Sequence, residues 1–173
     1  MPSRAISLLL TVFLASCLRA QDSPLKSPAK VVVLVFISSE CPVSNKFAPE
    51  LERLAHEFPT NEVSFNLVYA NPSDSEAKIA KHRRDFHLSA PFLRDPKHEL
   101  VKITGVTVTP EAAVFDSNRN LAYRGRINDQ FLALGKGRPQ PTRHDLEDAI
   151  RAVLAGHKPQ QSSTEAIGCF IQD

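Results

Sequence analysis

The chain has 173 residues, 42% of them hydrophobic, and a formal net charge of +2. That length supports one domain with a full core, and that composition excludes a disordered chain. No block of basic residues stands out, which argues against nucleic acid as a partner.

Arg4 precedes the apolar run ISLLLTVFLAS (6–16). The run is shorter than the roughly 20 residues a spanning helix needs, and it fits the core of a secretory signal. A signal segment is therefore expected over residues 1–20. LASC (14–17) has the form of a bacterial lipobox, which would make Cys17 the lipidated residue and attach the mature chain to a membrane. The rival is cleavage after Ala20, with Cys17 discarded, although Leu18 is large for the position it would then occupy. Both readings place the domain outside the cytoplasm, in the periplasm or its equivalent, and both remove Cys17 as a free thiol. Cys41 and Cys169 remain, in an oxidising compartment that permits a disulfide. The sequence does not say whether they meet.

QDSPLKSPAK (21–30) is rich in Pro, Ser and Lys and reads as a linker. VVVLVFI (31–37) is a β-branched run too short for a core helix, and it predicts a strand buried on both faces. A helix is expected over 42–58, with Phe47, Leu51, Leu54, Ala55 and Phe58 on one stripe, Pro42 in its first turn and Pro49 kinking it. VSFNLVY (63–69) predicts a second strand. Residues 73–87 predict a helix capped by Ser73 or Asp74, with KHRR (81–84) as its solvated face. A short helix is expected over 98–104, ending at Gly105. EAAVFD (111–116) and LAYRGRI (121–127) read as two strands joined by a turn at SNRN. A last helix is expected over 142–156, with Thr142 as cap, Leu146, Ile150, Val153 and Leu154 as its stripe, and Gly156 as its end. The globular domain thus covers 31–156, and residues 157–173 form a tail that carries Cys169. The apolar Ile167, Phe170 and Ile171 around it predict that the tail docks, and Gly168 gives its backbone freedom. The order strand–helix–strand–helix, then strand–strand–helix, predicts a mixed sheet with helices on both faces.

Cys41 lies where the first strand gives way to the first helix. A thiol there meets unpaired N–H groups and the positive end of the helix dipole, and both favour the nucleophilic thiolate. Glu40 opposes this, because a nearby negative charge disfavours thiolate. Position 44 would share a helical face with Cys41. A cysteine there would close a local disulfide, but Ser44 cannot, although its hydroxyl can donate to a Cys41 thiolate. Resolution then falls to an external thiol or to Cys169.

The element order resembles the layout of a thioredoxin-like domain. In thioredoxins the nucleophilic cysteine caps a helix that a proline kinks eight residues on, and Cys41 and Pro49 have that spacing. More narrowly, FISSECPVSN, VTPEAAVFD, YRGRIND and the terminal GCFI together resemble the secreted redoxins of the alkyl hydroperoxide reductase/thiol-specific antioxidant family. The resemblance implies an α/β thioredoxin-like fold with a central mixed β-sheet. It implies a cis Thr109–Pro110 bond beside the cysteine, offering the Thr109 backbone to an extended substrate segment. It implies thiol–disulfide exchange, with Cys41 as nucleophile and Cys169 or an external thiol resolving the mixed disulfide. The partners would be a disulfide-bearing protein, or a small thiol or peroxide, and an external thiol reductant. A disulfide between Cys41 and Cys169 could equally be a staple, worth about 4–5 kcal/mol by chain entropy.

The second enzymatic reading is a thiol-dependent peroxidase, in which Cys41 first forms a sulfenic acid. Peroxiredoxins carry a proline and a threonine seven and three residues before that cysteine, where this chain has Leu34 and Ser38. Ser38 supplies the hydroxyl, and Leu34 breaks the pattern. Arg126 or Arg94 would have to support the thiolate. The non-enzymatic reading is a stapled interaction module, or a Cu(I) site on the two cysteines. No histidine has ligand-like spacing to Cys41, so no metal is expected. The absence of a Gly-rich phosphate loop gives no reason to expect an organic cofactor.

Overall fold

Seven consecutive apolar residues, Val31–Ile37, form β1, and all are buried. Alternation sends Val31, Val33, Val35 and Ile37 to one face and Val32, Leu34 and Phe36 to the other. A strand covered on both faces belongs in the interior of a sheet. The computed structural model, which describes residues 23–172, places it at the centre of five. The expected signal segment, Cys17 and residues 21–22 lie outside the described residues.

After β1 come α1 (Pro42–Glu57), β2 (Val63–Tyr69), α2 (Glu76–Asp85), β3 (Phe92–Arg94), α3 (Glu99–Thr104) and β4 (Val108–Thr109). Then follow β5 (Glu111–Phe115), β6 (Leu121–Gly125), β7 (Phe131–Ala133), β8 (Lys136–Gly137), α4 (Asp145–Leu154) and β9 (Cys169–Phe170). The main sheet runs β3-β2-β1-β5-β6. β1, β2 and β3 are parallel, and β5 and β6 join antiparallel, which makes the sheet mixed. Phe47, Leu51 and Leu54 of α1, Ile79 of α2, and Leu146 and Ile150 of α4 share one face with Val33 and Val35. Leu100 and Val101 of α3 cover Leu34 and Phe36 on the other. This is the expected thioredoxin-like α/β fold.

Several boundaries differ from the sequence reading, each for a polar reason. α2 starts at Glu76, and its cap is Ser75, whose hydroxyl accepts the Lys78 N–H at 3.3 Å. Asp74 is fully buried instead, and its carboxylate accepts from the Ser39 hydroxyl and N–H. α4 starts at Asp145 because Thr142 is held elsewhere: both its N–H and its hydroxyl donate to Asp129, at 2.7 and 2.5 Å. Within KHRR, Lys81 and Arg84 face solvent, but His82 turns inward. Residues 23–30 lie against the domain: Leu25 packs on the α3 side, and the Arg119 guanidinium donates to the carbonyls of Leu25, Ser27 and Ala29.

Candidate active site

β1 ends at Ile37, a turn over 38–40 follows, and Cys41 is the N-cap of α1. Its backbone is extended, its N–H donates to the Ser38 carbonyl at 3.2 Å, and its carbonyl takes the first helical bond from Asn45. The Cys41 sulfur accepts the Ser44 N–H at 3.5 Å, in the way a capping oxygen would. The thiol is only 2% exposed.

Two further groups reach this sulfur. The carbonyl oxygen of Thr109, which precedes a cis Thr109–Pro110 bond, stands 3.0 Å away. The Cys169 sulfur stands 2.7 Å away, across 128 positions of chain. That separation is longer than a disulfide of about 2.05 Å, so no bond joins the two sulfurs here. The two thiols differ in acidity. Burial pushes Cys41 up, but hydrogen bonding by the Cys169 thiol and by the Ser44 N–H outweighs it and holds Cys41 below its ordinary value. Burial, and then the neighbouring Cys41, push Cys169 up to about 11. Of the two, Cys41 is therefore the more acidic thiol and the first to become the nucleophilic thiolate, while Cys169 keeps its proton longer.

The tail reaches this position along a defined path. Thr164 anchors it: its N–H donates to the Arg124 carbonyl at 3.1 Å, and its hydroxyl meets the Tyr123 hydroxyl at 2.6 Å and accepts the Arg126 N–H. Gly168 then lies against β4, where a β-carbon would stand 2.1 Å from the Thr109 carbonyl oxygen. Close approach, rather than freedom alone, is the reason for glycine there. β9 pairs antiparallel with β4, Cys169 opposite Thr109 and Phe170 opposite Val108, and the Ile171 N–H donates to the Thr107 carbonyl at 3.0 Å.

The remaining residues singled out from the sequence fall in several places. Ser38 is buried beside Cys41 and lines the adjoining cleft of about 220 Å³, with Glu40, Asn71 and the tail. Glu40 is exposed and paired with Lys78 at 2.9 Å, which offsets its charge near the thiolate. Ser44 is buried, but its hydroxyl has no hydrogen-bond partner; its N–H, not its hydroxyl, meets Cys41. Arg126 is not directed at Cys41: its Nε donates to Asp145 at 2.7 Å. Arg94 lines a different cleft, against α3. Among the described residues, the only cluster with metal-ligand geometry is Glu50, His144 and Glu147, which includes neither cysteine.

The sequence reading missed a buried polar chain beneath the Cys41 loop. The Tyr69 hydroxyl donates to His82 Nδ1 at 2.8 Å, and His82 Nε2–H donates to Asn45 Oδ1 at 2.9 Å. Asn45 in turn donates to the Ser39 carbonyl at 3.5 Å, and Ser39 is held by Asp74. It also missed Glu111, whose buried carboxylate accepts the N–H groups of Thr107 (2.8 Å) and Val108 (3.3 Å) and so fixes the approach to β4. The polar chain joins residues distant in the sequence, Tyr69 with His82 and His82 with Asn45, whereas the Glu111 contacts span only three or four positions and depend on the turn around the cis Thr109–Pro110 bond.

With this geometry in place, the comparisons define the class. A family profile described as Thioredoxin-like matches residues 29–121. The chain belongs to this thioredoxin-like family. Among solved structures it is similar to an uncharacterized conserved protein from Geobacillus kaustophilus, at 29% identity and a TM-score of 0.73, covering 86% of this chain and 79% of that one. A hypothetical protein from Sinorhizobium meliloti shares the fold at 24% identity and a TM-score of 0.73, over 84% of this chain and 80% of that one. StoA from Bacillus subtilis shares it more distantly, at 19% identity and a TM-score of 0.52, over 58% of this chain and 75% of that one. No curated protein matches the sequence.

Proposed function

We propose that the protein is a thiol–disulfide oxidoreductase in which Cys41 is the nucleophile and Cys169 the resolving thiol. The observation that carries this reading is the sulfur pair itself: a helix-capping thiol of lowered pKa and a tail thiol of raised pKa, 2.7 Å apart. The Cys41 thiolate attacks a client disulfide, forms a mixed disulfide and releases one client thiolate. Cys169 loses its proton and attacks the Cys41 sulfur. The Cys41–Cys169 bond forms, the second client thiolate leaves, and the client has gained two electrons. An external thiol reductant restores the pair. Thr109 and Pro110 form the wall beside the reacting sulfur, and Ser38 lines the cleft.

The peroxidase reading, and the narrower resemblance to alkyl hydroperoxide reductases, find less support. Among the described residues, no arginine lines the cleft beside Cys41, and Arg126 is committed to Asp145. Among the described residues, no histidine clusters with the two sulfurs, so a Cu(I) site would rest on the sulfurs alone. Export, and attachment through a lipidated Cys17, are proposed from the N-terminal sequence alone. Among the described residues, no helix is long and apolar enough to cross a membrane.

The test uses the chromogenic disulfide of thionitrobenzoate. The wild type should release two equivalents of thionitrobenzoate and retain no adduct. Cys169→Ser should release one and keep the other on Cys41, and Cys41→Ser should lose the fast phase. Two retained adducts on the wild type, one on each cysteine, would refute the pairing.

A further inference from the structure

The strand that delivers Cys169 occupies an edge that a client also needs. β4 exposes its pairing groups beside Cys41, and in this structure β9 fills them, with Cys169 opposite Thr109. The docked strand also shields the nucleophile, since Cys41 is 2% exposed while Phe170, next to Cys169, is 81% exposed. An extended segment carrying a disulfide would reach the Cys41 sulfur along the same edge, because main-chain pairing with a free strand edge is how such segments dock.

Building on the exchange reading above, we propose that β9 holds the client's place. An extended, cysteine-bearing peptide pairs with β4 only once β9 has left. Resolution is then a strand exchange, in which the returning β9 brings Cys169 to the mixed disulfide and expels the client. Atoms and electrons balance as in the exchange above: the Cys41–client S–S bond breaks, the Cys41–Cys169 bond forms, and the client departs as a thiolate that takes up a proton. Bond formation and product release thus become one event. A second cysteine at position 44 would work differently, because it would lie on α1 and leave β4 untouched.

The position of Gly168 supplies the handle. Gly168→Val places side-chain atoms where 2.1 Å separates even a β-carbon from the Thr109 carbonyl, so β9 should leave its edge. The experiment compares the full chain carrying Cys169→Ser with the same chain carrying Gly168→Val as well, so that resolution plays no part. Each is mixed with an extended peptide whose single cysteine is joined to thionitrobenzoate, and separately with cystamine. The Ile171 amide is followed by hydrogen exchange. The expected result is lost Ile171 protection and about tenfold or faster capture of the peptide on Cys41 in the double variant, equivalent to about 1.4 kcal/mol of lost competition. Equal peptide rates with Ile171 protection lost would overturn the proposal. Deleting residues 164–173, which removes position 169 along with the strand, repeats the test against the Cys169→Ser chain without relying on one side chain, and equal rates there overturn it too. If neither cystamine nor peptide ever labels Cys41, the exchange reading itself fails and takes the proposal with it. If cystamine labels Cys41 and peptide capture ignores the tail, only the competition fails.

Discussion

Gly125 and Thr164 approach so closely that a β-carbon at position 125 would stand 2.3 Å from the Thr164 hydroxyl oxygen and 2.4 Å from its carbonyl oxygen. This contact ties the tail to the end of β6, upstream of Cys169. Gly125→Ala should therefore cost about 1–3 kcal/mol through overpacking, or release the tail to avoid that cost. With the tail released, Cys41 is uncovered, so the first thionitrobenzoate release should be at least as fast as in the wild type, whereas the second should slow. Stopped-flow traces of the two phases check this, and an unchanged second phase would mean that Thr164 does not deliver Cys169.

Ser44 allows two expectations. Its hydroxyl is buried without a partner, so Ser44→Ala should cost under about 1 kcal/mol and leave Cys41 reactivity nearly unchanged. Ser44→Cys, placed in the Cys169→Ser background, should restore release of the second equivalent, because position 44 lies one helical turn from Cys41 with its N–H already on that sulfur. A persistent adduct would show that the two side chains cannot meet.

His82 makes stability depend on pH. Burial lowers its pKa, against the opposing pull of Asp74 and Asp85, and the neutral ring is the form that both accepts from Tyr69 and donates to Asn45. Below about pH 6.5 the unfolded chain protonates this histidine while the native state does not. Its contribution is thus present above that pH and lost on acidification. His82→Gln should flatten the fall in stability on acidification below about pH 6.5, measured by denaturant midpoints. An unchanged slope would assign the acid sensitivity elsewhere.

Glu111 holds the chain that presents β4. Glu111→Ala leaves the N–H groups of Thr107 and Val108 without their acceptor, at a cost of about 3 kcal/mol. It should also loosen the pairing of β4 with β9, so the Ile171 amide should exchange faster than global unfolding explains. Retained protection at Ile171 would confine the role of Glu111 to general stability.

The continuous apolar run of β1 and the mostly apolar β2 were legible in the sequence, because their burial is written in neighbouring residues. So was Cys41 as a helix cap, since the end of a β-branched run and a following proline mark that junction. The starts of α2 and α4 were not. In each, a polar side chain that looked like a local cap was captured by a distant partner: Asp74 by Ser39, and Thr142 by Asp129. The short strands β3 and β9 carry too few residues for any periodicity; their neighbours define them. Docking of the tail could be anticipated from Ile167, Phe170 and Ile171, but not its partner strand. That depends on the close approach of Gly168 to Thr109, which only three-dimensional structure reveals.

The proposed exchange requires Cys41 and Cys169 to form a reversible redox pair. The most direct test is peptide-mass mapping of the full chain equilibrated across a graded series of glutathione redox buffers. A redox pair gives a Cys41–Cys169 disulfide that forms and opens in the native protein, with a mixed disulfide to glutathione accumulating on Cys41 when Cys169 is replaced by Ser. A bond that opens only on unfolding, together with a Cys41 that never captures glutathione, would contradict it and leave the pair as a staple within a thioredoxin-like fold.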